Sequence, residues 1–282
     1  MTENKSAGSA ICGICPRRCS LAPGQYGFCR ARKNESGLIT CDNYGRIVSL
    51  AMDPIEKKPL KHFRPGSMIL SAGSYGCNLM CPFCQNHRIS MSSREDIAWE
   101  YISPDKITET ALKLKDRGNI GVAFTYNEPL ISYEYVYDCS SSLKKKSMSP
   151  VLVTNGYICE EPLKKLLPLI DAMNIDLKAF TKDFYNKIGG DLETVKRSIM
   201  LASEFCHIEI TTLVIPGMND SHDEMEKMSS WLAGIEKDIP LHVSRFFPQY
   251  KMSDKDPTPV KSIYELADTA RKHLKYVHTG NC

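Results

Sequence analysis

From residue 66 onward, apolar and polar positions follow a repeating order. Short apolar runs at residues 67–72, 120–125, 150–154, 172–177, 208–215 and 241–247 have strand length. They are too brief for independent helices and read as buried strands. Between and after them, residues 104–117, 130–146, 161–167, 192–205, 222–236 and 260–274 carry helical spacing. Ser103-Pro104 and Asp220 stand as N-terminal caps and Gly118 as a C-terminal stop. Six such units predict an α/β fold with a parallel sheet wrapped by helices. Six is short of the eight that close a TIM barrel, so the expectation over residues 66–282 is a partial (β/α)6 TIM-like barrel. Ahead of it the pattern collapses. Residues 1–10 are polar and predict a disordered lead. Residues 11–65 predict a small N-terminal cysteine-rich arm, poor in core material and in need of a staple. Its 42–65 stretch is expected to run extended, since Asp53-Pro54 and Lys58-Pro59 break any helix.

Composition narrows the function classes. The 282 residues are 42% hydrophobic and 24% charged, ordinary for a soluble globular protein. A formal charge of +3 is too small to draw nucleic acid or a membrane surface. The run Lys144-Lys145-Lys146 reads as a solvated helix end whose charges suit the helix dipole. No apolar run reaches membrane-spanning length and the first ten residues are no signal peptide, so the expected setting is the cytoplasm. There thiols stay reduced, and the twelve cysteines read as metal ligands sooner than disulfides.

The strongest chemical signal is Gly76-Cys77-Asn78-Leu79-Met80-Cys81-Pro82-Phe83-Cys84. The spacing is C-x3-C-x2-C, with no fourth cysteine in the next fifty residues. Cys77, Cys81 and Cys84 as thiolates would ligate three irons of a [4Fe–4S] cube and leave the fourth without a protein donor, since full protein ligation takes four cysteines. An open position marks a catalytic metal site. A closed zinc site or buried core cysteines are the bland alternatives. In the arm, Cys12-x2-Cys15-x3-Cys19-x9-Cys29 offers a possible second site, for zinc or an auxiliary iron–sulfur cluster, with zinc slightly favoured because nothing marks an open position.

Other polar groups fall at expected strand ends, where parallel α/β folds bind ligands. These are Asn127-Glu128, Thr154-Asn155-Gly156, the period-two set Asn174, Asp176 and Lys178, and His242, Arg245 and Tyr250. An inward lysine needs a partner, either Asp176 in an internal ion pair or a ligand carboxylate.

Phe83 completes a C-x3-C-x-Φ-C pattern, and with it the loop resembles the radical S-adenosylmethionine (SAM) superfamily. Nearly the whole chain, about residues 12–281, resembles the radical SAM member of the AmmeMemoRadiSam group, often described as pyruvate formate-lyase activating enzyme-like. Besides the cysteines, Asp53-Pro54-Ile55-Glu56-Lys57-Lys58-Pro59-Leu60 and Thr125-Tyr126-Asn127-Glu128-Pro129 carry that likeness, with residues 153–157, 174–178 and 244–250. The resemblance implies an open partial barrel and a [4Fe–4S] cluster whose free iron binds SAM. It implies one-electron cleavage of SAM to methionine and a 5′-deoxyadenosyl radical that abstracts hydrogen from a substrate. Glu128 would then receive the SAM amino group, Lys178 its carboxylate, and His242, Arg245 or Tyr250 the ribose. Asp176 and Thr154-Asn155 match glycyl-radical activating enzymes, and residues 214–220 match their nucleoside turn. Tyr126 and Asn127 replace two glycines, and Val153 an acidic residue, of those enzymes. Relatives continue into a Tyr-Cys-x-x-Cys-Gly tail, whereas this sequence ends at Cys282. The implied partners are a flavodoxin- or ferredoxin-type electron donor, Memo-type and AMMECR-type proteins, and a protein, peptide or small-molecule substrate. Activation of a glycyl-radical enzyme is the alternative activity. A non-catalytic iron–sulfur or zinc protein that binds partners is the alternative of another class.

Overall fold

A computed structural model describes residues 8–282. The expected lead 1–10 lies mostly outside the described residues, but its end is folded. Gly8 O accepts from Asn34 Nδ2 (2.8 Å) and Ala10 pairs with Leu21.

The core is one eight-stranded sheet, numbered here β1 Ser49–Pro54, β2 Met68–Gly73, β3 Asn119–Phe124, β4 Ser149–Thr154, β5 Ala172–Asp176, β6 His207–Val214, β7 Leu241–Arg245 and β8 Val277–Gly280. Spatial order follows chain order from β1 to β8, and all neighbours are parallel except β1 against β2. The crossovers carry α1 Pro104–Lys113, α2 Tyr133–Lys145, α3 Glu160–Leu166, α4 Lys182–Ile188, α5 Leu192–Ser203, α6 His222–Ile235 and α7 Val260–Arg271. All six expected strands form, each within two residues of its expected ends. Ser103 caps α1 through Lys106 N–H, and Gly118 ends that crossover at φ 82°. The cap of α6 is Ser221, one residue beyond Asp220, because its hydroxyl reaches Glu224 N–H (3.2 Å).

Two elements lay hidden from periodicity. The sheet spans the arm's expected boundary at 65/66: β1, on the arm side, pairs with β2 from Ser49↔Gly73 to Pro54↔Met68 and forms the antiparallel edge. At the other edge β8, only four residues long, adds a seventh parallel strand. The stretch after β1 then turns under the sheet and fills its concave floor. Ile55 and Leu60 are fully buried with Ile69, Ala123, Val151 and Ala172. Pro59 O accepts from Asn174 Nδ2 (2.9 Å). Lys61 and His62 N–H donate to the Glu209 carboxylate (3.0 and 2.7 Å). His62 Nε2 also meets His278 Nε2 on β8 (2.8 Å), so this segment bridges the two sheet edges that an open barrel leaves apart. The arm itself is two small hairpins, Ala10–Ile11 with Ser20–Leu21 and Arg32–Glu35 with Leu38–Cys41. Among the described residues no helix is long and apolar enough to cross a membrane.

Candidate active site

The carboxyl ends of the strands surround a cavity of about 970 Å³. β2 runs into the cysteine loop at Gly76, whose φ of 86° and close packing against Cys29 O leave no room for a Cβ. Cys77, Cys81 and Cys84 all line the cavity, with Phe83 between them braced by Phe184 (ring centroids 6.0 Å). Donors reach the sulfurs: Leu79 N–H and Asn155 Nδ2 lie 3.4 and 3.7 Å from Cys77 Sγ, and Ser90 Oγ lies 3.1 Å from Cys84 Sγ. Burial pushes the Cys77 thiol well above its ordinary range and the Cys81 thiol up to about 11. Such thiols become thiolates when a cationic metal group compensates them. Among the described residues no three His, Cys, Asp or Glu side chains converge on one ion-sized point. Three thiols lining one cavity, with polar groups near the Cys77 and Cys84 sulfurs, are the donor set a [4Fe–4S] cluster with one open iron would take.

The cavity is also lined by Asn127, Glu128, Thr154, Asn155, Asp176, Lys178, His242 and Arg245. The structure gives several of them jobs the sequence did not suggest. Asn127 grips the chain just before Cys77: Oδ1 accepts from Ser74 N–H (3.0 Å) and Nδ2 donates to Tyr75 O and Gly76 O (both 3.2 Å). Glu128 is buried and ties β3 to β4, accepting from Thr154 Oγ1 (2.6 Å), Asn155 N–H (2.8 Å) and Leu130 N–H (2.9 Å). Burial raises its carboxyl to about 7 against the pull of those donors. With three acceptor sites in use, little of Glu128 is left for a ligand ammonium. Asp176 and Lys178 form the ion pair (2.9 Å). Burial opposes the lysine's charge, but Asp176 and then Cys81 raise its pKa above the ordinary value. Arg245 donates Nε to Thr258 O (2.6 Å), and among the described residues it has no carboxylate partner.

Tyr250 does not line the cavity. Its ring stacks on His87 at 4.6 Å, and Lys251 N–H donates to Pro82 O (3.0 Å), so that turn buttresses the cysteine loop from behind. The turn matched to a nucleoside contact is itself held by Asn219. Asn219 bonds Lys178 O, Leu213 O and Ile215 N–H, locking the β5 and β6 ends together.

Sequence reasoning missed a polar cluster on the wall formed by Asp53, Lys58 and Tyr126. Lys58 is buried and paired with Asp53 (2.8 Å), and Tyr126 donates its hydroxyl to the same carboxylate (2.6 Å). Against the cost of burial, Lys58 and Tyr126 hold the Asp53 carboxyl down to about 2. These bonds hold Tyr126 at φ 73°, a conformation that favours glycine. The one available signal was two charged residues each followed by a proline, Asp53-Pro54 and Lys58-Pro59.

The Radical SAM superfamily profile matches residues 72–229, more than half of the chain. The chain belongs to the radical SAM superfamily. An uncharacterized protein of Methanocaldococcus jannaschii is 40% identical over 274 residues, 96% of this chain and 80% of its own length. The pyruvate formate-lyase 1-activating enzyme of Escherichia coli K12 is 22% identical over 170 residues, 57% of this chain and 68% of that protein. Among solved structures, a domain of pyruvate-formate lyase-activating enzyme from Bacteroides vulgatus superposes with a TM-score of 0.50 at 15% identity, covering 57% of this chain and 99% of that one, and so supports the fold. Members of this radical SAM family are enzymes of radical chemistry, and membership implies a [4Fe–4S] cluster and SAM. The non-catalytic reading falls.

Proposed function

We propose that this radical SAM oxidoreductase holds its cluster on Cys77, Cys81 and Cys84 and uses it on a protein, peptide or small-molecule substrate admitted to the cavity. The observation that carries this is the set of three cysteines on one wall of a roomy cavity at the strand ends. When bound and reduced, such a cluster supplies the electron that cleaves SAM to methionine and a 5′-deoxyadenosyl radical. The chain's own residues bind and orient. Lys178, held charged by Asp176, suits the SAM carboxylate, and Leu79, Asn155 and Ser90 donate to the ligating sulfurs, which tunes the potential at which an electron arrives. His242 and Arg245 on β7 suit the polar face of a nucleoside or substrate. Phe83 and Phe184 close an apolar side that limits water near the reacting atoms.

Likeness to the E. coli activating enzyme favours a protein substrate, with a glycyl-radical enzyme as the second reading. Tyr126 and Asn127 in place of glycines weigh for a different partner. Flavodoxin- or ferredoxin-type donors, and Memo-type and AMMECR-type proteins, are the partners proposed, in the cytoplasm.

The test is anaerobic reconstitution, with iron and sulfide counts, reduced-state EPR with and without SAM, and detection of 5′-deoxyadenosine. A SAM-dependent spectral change and cleavage, both lost in Cys81→Ala, are expected. A reduced spectrum indifferent to SAM sinks the proposal.

A further inference from the structure

The floor segment puts a buried lysine on the cavity wall. Lys58 is only 3% exposed, yet it lines the cavity beside Lys57, Pro59 and Tyr126. An ammonium carries three N–H donors, and when buried it needs acceptors for them. Asp53 Oδ2 takes one at 2.8 Å. The Tyr126 hydroxyl stands at 3.5 Å, too long for a strong bond, and gives its own proton to Asp53 (2.6 Å). Among the described residues no other acceptor meets Lys58 Nζ, so part of a buried cation's donor capacity is left for whatever fills the cavity. The surrounding charge has the same sign. Lys57 also turns to Asp53, its Nζ 3.8 Å from Oδ1, so two ammonium groups share one carboxylate. Glu56 turns its carboxylate to Gly66 N–H (2.6 Å). Lys61 lines the cavity as well and, among the described residues, has no carboxylate partner. The floor thus sets three lysines against two acids.

Stability alone gives no reason for this arrangement. Replacing a buried ion pair by apolar groups is commonly neutral or stabilising. Tyr126 is held at φ 73°, in the region that favours glycine. β2 ends against it in Gly73, where a Cβ would lie 2.8 Å from the Tyr126 ring. A strained tyrosine, a glycine that makes room for it and a buried ion pair together fix one ammonium at the cavity wall. A fixed ammonium with a free N–H, in a region of net positive charge, recognises an oxyanion. Ile55 and Leu60 pack beneath it. The cavity, about 970 Å³, falls within the roughly 300–1,000 Å³ of small-molecule sites.

We propose that Lys58 binds an oxyanion of the substrate, the carboxylate or phosphate of a small-molecule acid, on the cavity floor, with Asp53 and Tyr126 as positioning residues. This rests on the reading above that the cavity admits the substrate, and it selects a small acid over a glycyl-radical protein. Two anions then have separate lysines: the SAM carboxylate at Lys178 on the β5 end, and the substrate at Lys58.

The test titrates the full chain, reconstituted with its cluster, left oxidised and saturated with SAM. Inorganic phosphate, succinate and neutral succinamide are added in turn and followed by calorimetry. Phosphate or succinate should bind wild type, and succinamide should not. Lys58→Gln should weaken the anion roughly tenfold or more while the reduced EPR signal still responds to SAM. Tyr126→Phe, which keeps the Lys58 charge, should weaken it by about threefold. Tighter phosphate assigns a phosphate ester, and tighter succinate a carboxylic acid. Unchanged affinity in Lys58→Gln overturns the proposal, as does equal binding of succinamide. Should that variant fail to fold, Asp53→Asn/Lys58→Gln removes both charges of the pair together; the same loss is expected, and unchanged affinity again overturns the proposal. No anion binding beside a SAM-responsive signal sinks the floor site alone. A signal indifferent to SAM sinks the cluster reading alone, and anion binding that depends on Lys58 still stands.

Discussion

Glu209 is the residue whose removal the structure makes most consequential for the barrel floor. It is fully buried on β6, and four donors meet its carboxylate: Lys61 N–H, His62 N–H, His207 Nε2 (3.0 Å) and His242 Nε2 (2.7 Å). Burial opposes its charge, but His207, His242 and the two backbone donors together hold its carboxyl well below the usual range. Glu209→Ala strips all four donors at once. An orphaned buried donor costs about 1–3 kcal/mol, and breaking a buried charged arrangement from one side about 3–5 kcal/mol. Water entering from the cavity recovers part of this, so a loss of about 4 kcal/mol is expected. At roughly 2–4 °C per kcal/mol for a domain near this size, the melting temperature should fall by roughly 10 °C. The sign with pH follows from a depressed folded pKa. Glu209's contribution is complete above its unfolded value near 4.5 and is lost as pH falls through the folded value. Thermal melts by circular dichroism at pH 5.5, 7 and 8 should therefore show the full deficit at all three. A fall below about 3 °C would mean that the floor segment is held by Ile55 and Leu60 packing alone, and the account of Glu209 would be wrong.

Gly76→Ala adds a Cβ both at positive φ and 2.3 Å from the Cys29 oxygen, so backbone must move; a loss above about 2 kcal/mol with impaired iron uptake by the adjoining Cys77–Cys84 loop is expected from melts and iron counts. Tyr126→Phe deletes the hydroxyl that bonds Asp53 and should cost about 1–2 kcal/mol by chemical denaturation. Glu128, raised from 4.5 to about 7, favours its protonated form in the folded chain. Its stabilisation is full below pH 4.5 and fades up to about 7, so relative to Glu128→Gln the metal-free protein should lose up to about 3 kcal/mol across that window. Lys178→Ala should weaken SAM binding at least tenfold, read from the SAM titration of the reduced EPR signal; unchanged affinity would place the SAM carboxylate elsewhere.

Local chemistry was legible from the residues alone. Apolar runs of strand length, alternating with helical spacing, settled the six βα units because burying one face of each element is a local demand. The triplet Cys77, Cys81 and Cys84 was legible as a candidate site because three thiols within eight residues need no distant partner, and Ser103 and Gly118 were legible because caps act within a turn. Features that needed the fold involve residues far apart in the chain. β1 joins the sheet through backbone pairing with β2, which leaves no periodic mark in a stretch broken by prolines. Asn127, Glu128 and Asn219 look like ligand contacts in sequence because they are polar residues at strand ends. In the fold they also satisfy buried backbone groups, a demand that arises only once loops from different strands meet, while Asn127 and Glu128 still line the cavity. The arm cysteines show both limits. Their spacing suggested a shared site, and only the fold shows that Cys29, ten residues beyond Cys19, lines the same void as Cys12, Cys15 and Cys19.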